Sequence, residues 1–397
     1  MARALFLSLP LTGHINPSLT VIRELVSRGE SVDYFATGAY QPAIERAGAR
    51  YHCYRNAFLT DLAGLPDRLE ALSWLLMRTT GEILEAHLAQ FREQRPDYVI
   101  TDSVAPWGVW VAEILRVPVV TSVVTFAFNR QVLAFAARSG IRPKSLRLFL
   151  SKLRHLANAL QLRRRLRSRY QVRGPGMANL VMGESALNLV YTSRQFQPCG
   201  ESFDQRFEFI GPMLSERNDA PDFPWDQVRQ RPVVYVSLGT LFNADAAFYR
   251  SCYQAFESED FQVILSLGAN VSKEDVGPPP SNFLVRPHVP QLDVLQRAAV
   301  FVTHGGMNSV CESLFHGVPM VVVPQMSEQA IVGRRVEGVG AGVYLPKERA
   351  TAESLRESVR QILSESAFRR QAALIGDSFR QAGGATKAVD AIFRYTR

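Results

Sequence analysis

Both halves of this sequence alternate short apolar runs with segments of helical period, and no other feature constrains the fold as tightly. In the first half Ala4–Leu9, Ser31–Ala36, Tyr98–Thr101 and Val117–Thr121 read as buried strands. In the second half Val233–Leu238, Phe261–Leu265, Val300–Thr303 and Met320–Val323 repeat the arrangement. Near-continuous apolar strands between helical segments are the pattern of parallel sheets covered on both faces. Pro17–Arg28 is one such helix, with Pro17 suited to a first turn. Residues 211–231 are proline-rich, acidic and aperiodic, and are expected to link a domain over 1–210 to a second over 232–380. The last segment, 381–397, is expected to be a helix that packs back on the first domain. A cleft between the two domains is the expected ligand site.

A chain of 397 residues with 47% hydrophobic content can fill two cores, which excludes a mainly disordered protein. Its four cysteines form no C-x-x-C pair, so a disulfide framework and a cysteine-rich zinc site are not expected, and a reducing cytoplasm fits. The longest apolar stretch, Val117–Phe128, holds 12 residues and is broken by Pro118, too short for a membrane span. The N-terminal apolar run reads as a first strand, not a signal peptide. Net charge is +8, yet Arg138–Arg173 alone contains 12 Lys or Arg and no acid. The remainder is mildly acidic around one basic insert.

The densest chemical signal is His304-Gly305-Gly306-Met307-Asn308-Ser309, directly after the strand Val300–Thr303. Glycines at a strand's carboxyl end let backbone approach a ligand, and the helix that follows offers N–H groups to an anion. Taken alone, the run fits equally well a tight turn with Asn308 or Ser309 capping the helix. Ser237-Leu238-Gly239-Thr240 breaks the tie, because it closes the first strand of the same half and loops after parallel strands gather at one sheet edge. Two polar glycine loops suggest a diphosphate. Glu312 lies four residues beyond Asn308, on the same helix face.

The run from His288 to Gln329, with V-P-Q-L-x-V-L, H-G-G-M-N-S-x-x-E, G-V-P and P-Q-x-x-E-Q, resembles the donor-binding signature of nucleotide-sugar-dependent glycosyltransferases of the GT-B fold. More narrowly it resembles the bacterial macrolide glycosyltransferase subgroup of family 1, to which the N-terminal L-P-L-T-G-H-I-N-P also belongs. The resemblance implies an α/β GT-B architecture, two Rossmann-like doubly wound domains facing each other across a cleft. It implies that Val289 and Gln291 meet the nucleobase and ribose, Val289 through its backbone, and that Glu312 accepts the ribose hydroxyls. Thr240, His304, Asn308 and Ser309 would hold the diphosphate, and Glu328 with Gln329 the sugar hydroxyls. A carboxylate beside a carboxamide can accept and donate at adjacent hydroxyls. His288 stands where many relatives place a stacking aromatic, and Met307 where plant enzymes carry Trp.

His14 is the candidate general base, placed on the loop after the first strand, since imidazole with a pKa near 6.5 can take an acceptor's proton near neutral pH. Asp102 ends another strand and could orient His14, as the acid of a hydrolase triad does. The bland alternatives are a histidine capping the Pro17 helix and an aspartate capping the helix after Pro106; the G-H-I-N-P context favours catalysis. The expected reaction is a single displacement with inversion, from a UDP- or dTDP-hexose to a hydroxyl of a small lipophilic acceptor such as a macrolide or polyphenol. No metal or other cofactor is expected, and the sequence has no D-x-D pair.

Gly338-x-Gly340-x-Gly342 lacks the spacing of a dinucleotide fingerprint and is expected to end the helix that begins near Ser327. His52, His87, His155 and His316 show no metal-ligand spacing. In the insert, Leu146, Phe149, Leu150, Leu153, Leu156 and Leu160 share one helical face, away from Arg147, Lys152, Arg154 and Arg163–Arg165. A surface helix over the acceptor pocket with a solvated basic face is the favoured reading; weak peripheral contact of 138–173 with an anionic membrane is the sharper one. Nucleic-acid binding is not expected, because only Phe149 and Tyr170 interleave the charges. Two rival functions remain, an enzyme forming a membrane glycolipid and a non-catalytic nucleotide-sugar-binding protein. The presence of both His14 and Asp102 argues against the second.

Overall fold

The computed structural model describes residues 2–55, 69–138, 146–176, 185–214, 220, 222–240 and 243–397, with side chains from 74 and 157 onward in the two helices that follow the first gaps. The chain divides into two compact units, Met1–Ser215 with Ala382–Arg397, and Glu216–Gln381. The boundary falls within the stretch expected as a linker.

Among the described residues the first unit holds a seven-stranded sheet of β1 (Arg3–Leu7), β2 (Ser31–Ala36), β3 (Arg50–Cys53), β4 (Tyr98–Asp102), β5 (Val119–Val123), β6 (Leu187–Val190) and β7 (Phe207–Phe209). The order is β3-β2-β1-β4-β5-β6-β7 and every pairing is parallel. The second unit repeats the design with six strands, β8 (Val233–Ser237), β9 (Gln262–Ser266), β10 (Phe283–Arg286), β11 (Ala298–Thr303), β12 (Met320–Val322) and β13 (Gly342–Tyr344). Its order is β10-β9-β8-β11-β12-β13, again all parallel. Each sheet therefore reverses direction of winding once, between β1 and β4 and between β8 and β11. Loops leave such a switch point on opposite sides, so a crevice opens there at the strands' carboxyl ends. Asp102 ends β4, His14 follows β1, and Thr240 and His304 follow β8 and β11, whereas Val289 with Gln291 and Glu328 with Gln329 follow β10 and β12.

Five helices matter to the sites. These are α1 (Thr12–Ser27), α2 (Trp107–Leu115), α3 (Leu146–Tyr170), α4 (Gln291–Leu295) and α5 (Met307–Phe315). Helix α1 begins five residues before Pro17, so the expectation of Pro17 in the first turn is corrected. Its opening turn is closed by the N–H groups of His14 and Ile15, which both donate to the Leu11 carbonyl at 2.9 Å. Ile15, Leu19, Ile22 and Leu25 then bury one face of α1 against β1 and β2. A helix at Gly384–Thr396, α6, adds Ala388, Val389, Ala391 and Ile392 to that same core.

The basic insert is mostly α3, whose side chains are described from residue 157 onward. Ala159 and Leu166 are buried, with Leu162 and Tyr170 packed beside them, in a core that includes Trp107 and Trp110 of α2. Of the face expected from the sequence only Leu160 is described, half-buried; Leu146 to Leu156 lie outside the described side chains. Arg163 is not part of a solvated face. Its Nε donates to the Pro175 carbonyl at 2.8 Å and its terminal nitrogen reaches the Arg173 carbonyl at 3.3 Å. Burial, more than the nearby Arg167, pulls its pKa below the usual guanidinium value. Glu113 completes the clamp, accepting from the N–H groups of Arg173 and Gly174 at 2.7 Å each. Arg164, Arg165 and Arg167 are exposed. Among the described residues no helix is long and apolar enough to cross a membrane.

Candidate active site

In the first unit the switch point brings two expected residues together. His14 lies in the first turn of α1, not on the loop before it, and Asp102 is the last residue of β4. Leu7 and Thr101 pair across β1 and β4, so the residues just past them emerge side by side. His14 Nδ1 stands 2.7 Å from Asp102 Oδ2, with side-chain exposures of 15% and 1%. The second carboxylate oxygen accepts from the Val104 N–H at 2.9 Å, which fixes its plane. Asp102 caps no helix, since α2 starts from Pro106 without a side-chain cap. A carboxylate only accepts, so Nδ1 carries the proton, and Nε2 is left with the lone pair that a base requires.

In the second unit the loops after β8 and β11 meet at His304. A Cβ on Gly239 would come within 2.6 Å of the imidazole Cε1, and one on Gly306 within 2.4 Å of Nε2. The ring therefore fits only because both flanking residues are glycine. Gly239 also needs its φ of +77°, a left-handed value that side chains disfavour. Desolvation, outweighing a hydrogen bond from the ring to the Ser237 carbonyl, pushes the His304 pKa down to about 4, so the imidazole is neutral at neutral pH. Helix α5 starts beside it from Gly306 with no side-chain cap. The first N–H groups of any helix lack intrahelical acceptors, which suits this end to an anion. Asn308 and Ser309 are half-buried in that first turn, and Thr240 is exposed at the end of the β8 loop.

Glu312, one turn further along α5, is buried. Gln291, the first residue of α4, donates from Nε2 to Glu312 Oε2 at 2.6 Å and to Ser309 Oγ at 3.3 Å. The Tyr235 hydroxyl donates to Gln291 Oε1 at 3.1 Å. Tyr235 is a member of this cluster that sequence reasoning missed, because a tyrosine inside an apolar strand reads as core. Val289 is buried just before α4, and His288 is exposed.

The pair expected to meet sugar hydroxyls opens the helix Ser327–Gly338, with Glu328 exposed. Gln329 Oε1 accepts from the backbone N–H of Gln325 at 2.7 Å and of Met326 at 3.1 Å. Its carbonyl thus caps its own helix, which leaves donation from Nε2 as the role expected of a carboxamide beside a carboxylate. Lys347 anchors the same loop, donating to Gln325 Oε1 at 2.5 Å while paired with Asp245 at 2.9 Å. Gly338-x-Gly340-x-Gly342 does end this helix and leads into β13. His52 and His87 belong to a structural polar chain. His52 contacts Asp33 at 2.7 Å, and His87 accepts the Arg55 N–H at 3.0 Å. Among the described residues no group of His, Cys, Asp or Glu has the arrangement of a metal site.

Residues 253–385 match the family described as erythromycin biosynthesis protein CIII-like, C-terminal domain. The chain is 34% identical to the uncharacterized UDP-glucosyltransferase YojK of Bacillus subtilis (strain 168), over 99% of this chain and 97% of that protein. It is 32% identical to the demethyllactenocin mycarosyltransferase of Streptomyces fradiae, covering 99% and 86% respectively. The crystal structure of CalG4, the calicheamicin glycosyltransferase, superposes with a TM-score of 0.82 at 28% identity, covering 100% of this chain and 98% of that one. The chain belongs to the macrolide glycosyltransferase group of the family 1 UDP-glycosyltransferases and has their GT-B fold.

Proposed function

We propose that this glycosyltransferase moves a hexose from a UDP- or dTDP-sugar to a hydroxyl of a small lipophilic acceptor, with inversion and without a metal. The observation that carries the reading is the 2.7 Å contact between His14 and the buried Asp102. Asp102 holds the Nδ1–H tautomer and stabilises the imidazolium that forms when His14 takes the acceptor's proton. The deprotonating oxygen attacks the anomeric carbon as its bond to the diphosphate breaks, so an α-linked donor yields a β-glycoside. The leaving diphosphate gathers charge beside the α5 N-terminus and the His304 ring, a fixed electrostatic environment in place of a cation.

Relatives named for macrolide chemistry, among them an oleandomycin glycosyltransferase of Streptomyces antibioticus at 29% identity, support a secondary-metabolite acceptor. The exposed Arg164, Arg165 and Arg167 favour a second reading, a membrane-lipid acceptor. Mass spectrometry of products from UDP- and dTDP-sugars crossed with macrolide, phenolic and lipid acceptors separates the two. A β-linked glycoside of a soluble acceptor formed in the presence of EDTA is the expected result. Hydrolysis alone, or strict dependence on added cation, would overturn the proposal.

A further inference from the structure

Tyr235 sits in the middle of β8 at 1% exposure, its ring stacked on Phe301 of β11 with centroids 4.6 Å apart. A phenol buried this deeply needs an acceptor, and it finds Gln291 Oε1. That contact determines which way the Gln291 amide faces. With its oxygen held by the tyrosine hydroxyl, the nitrogen is turned toward Glu312 Oε2 at 2.6 Å. A flipped amide would set its oxygen against the carboxylate, two acceptors at contact distance with no proton between them.

We propose that Tyr235 is a positioning residue for ribose recognition, acting through Gln291 on the Glu312 carboxylate. The proposal rests on the reading of Glu312 as the acceptor of ribose hydroxyls. A carboxylate takes a vicinal diol by accepting one hydroxyl on each oxygen, so its aim matters most when both the 2′ and 3′ hydroxyls are present. A 2′-deoxynucleotide offers one of the two and gains little from the alignment. The chain Tyr235–Gln291–Glu312 is thus where a ribonucleoside diphosphate is told from its 2′-deoxy counterpart.

Tyr235→Phe tests this, because it keeps the ring and its stack on Phe301 and removes only the hydroxyl. UDP and 2′-deoxy-UDP are titrated by calorimetry into the wild type, Tyr235→Phe, Gln291→Met and Glu312→Gln, and the donor KM and kcat are measured. Tyr235→Phe is expected to weaken UDP by about 5- to 20-fold, the effect of losing one or two net hydrogen bonds, and 2′-deoxy-UDP by less than about twofold. Donor KM should rise while kcat at saturation holds. Gln291→Met breaks the same chain from its other end and should erase the same preference, which keeps the test open if Tyr235→Phe folds poorly. Equal weakening of both nucleotides, or no change in either, would reduce Tyr235 to a core residue and overturn the proposal. If the wild type and Glu312→Gln bind both nucleotides alike, the ribose reading itself fails.

Discussion

His14 and Asp102 face each other because β1 and β4 are sequence-distant but sheet-adjacent: 88 residues separate them, and 2.7 Å separates Nδ1 from Oδ2. On the proposed function the pair would supply both halves of a general base, the nitrogen that accepts and the charge that stabilises the product of accepting. His14→Ala is expected to fold, to bind nucleoside diphosphate normally and to lose about 10²–10⁴-fold in kcat, the usual range for removing such a base. Asp102→Asn should also cut kcat, since a carboxamide can donate to Nδ1 and so favour the wrong tautomer. Near wild-type turnover of an unactivated alcohol by either variant would contradict the assignment.

Gly306 offers a direct test of the phosphate end. Its φ of −62° is open to any residue, so Gly306→Ala adds no backbone strain. The new methyl instead lands 2.4 Å from His304 Nε2 and must displace the ring. UDP and a UDP-sugar should both bind at least about tenfold more weakly, consistent with losing a hydrogen bond to a charged group. Thermal unfolding should change little. Unaltered nucleotide affinity with a displaced imidazole in a crystal structure would separate His304 from the diphosphate.

The strands were legible because parallel sheets bury both faces: Ser31–Ala36 agrees end to end, while the fifth strand starts at Val119 because Pro118 precedes it. The start of α1 was not legible. Thr12-Gly13-His14 carries no apolar period, and Pro17 mimics a first turn although it lies inside the helix. Glycine loops mark the proposed donor site, but Tyr235 and Gln291 meet across 56 residues of chain, a contact no local pattern encodes. Arg163 was misread for a related reason. Three successive arginines look alike in sequence, and only the fold of 173–175 distinguishes the one whose guanidinium is used.

The depressed pKa of His304 makes stability depend on pH in a defined window. The unfolded imidazole titrates near 6.5 and the folded one near 4, so between these values the unfolded state binds more protons. The stabilising contribution is complete above about pH 6.5 and is lost as pH falls toward 4. His304→Gln keeps a donor and removes the titration. Urea unfolding at pH 7, 5.5 and 4.5 should show the wild type losing more stability than the variant, by on the order of 1–3 kcal/mol across the window. Parallel pH profiles would show that the ring is better solvated than its packing between two glycines implies.

Glu328 and Gln329 should separate in mutants although they are adjacent. Glu328→Ala removes an exposed carboxylate, so it should weaken a UDP-sugar relative to bare UDP and leave stability unchanged. Gln329→Ala also orphans the N–H groups of Gln325 and Met326, and a lost cap typically costs about 1 kcal/mol. Gln329→Glu retains that acceptor, so it should restore stability without restoring donation to the sugar. Equal melting temperatures for Gln329→Ala and the wild type would argue that the cap is dispensable.

The three arginines of α3 should behave as one structural residue and two surface residues. Arg163→Gln abandons the carbonyls of Pro175 and Arg173 at the point where Gly174 packs against Trp110, and hydrogen bonds from a charged group contribute about 1.5–3 kcal/mol. That variant should unfold at lower denaturant, whatever acceptor the enzyme uses. Arg164→Gln with Arg165→Gln touches no such contact and should leave both stability and turnover of a soluble acceptor intact. If α3 instead docks on anionic lipid, each exposed arginine near the surface contributes about 1 kcal/mol, and the double variant should detach from liposomes. Such binding would also weaken with salt as the Debye length shortens to about 8 Å. Flotation of the wild type but not the double variant with anionic vesicles, lost at high salt, would move the acceptor from a soluble metabolite to a membrane lipid; no flotation, with full turnover of a soluble alcohol by the double variant, keeps it soluble.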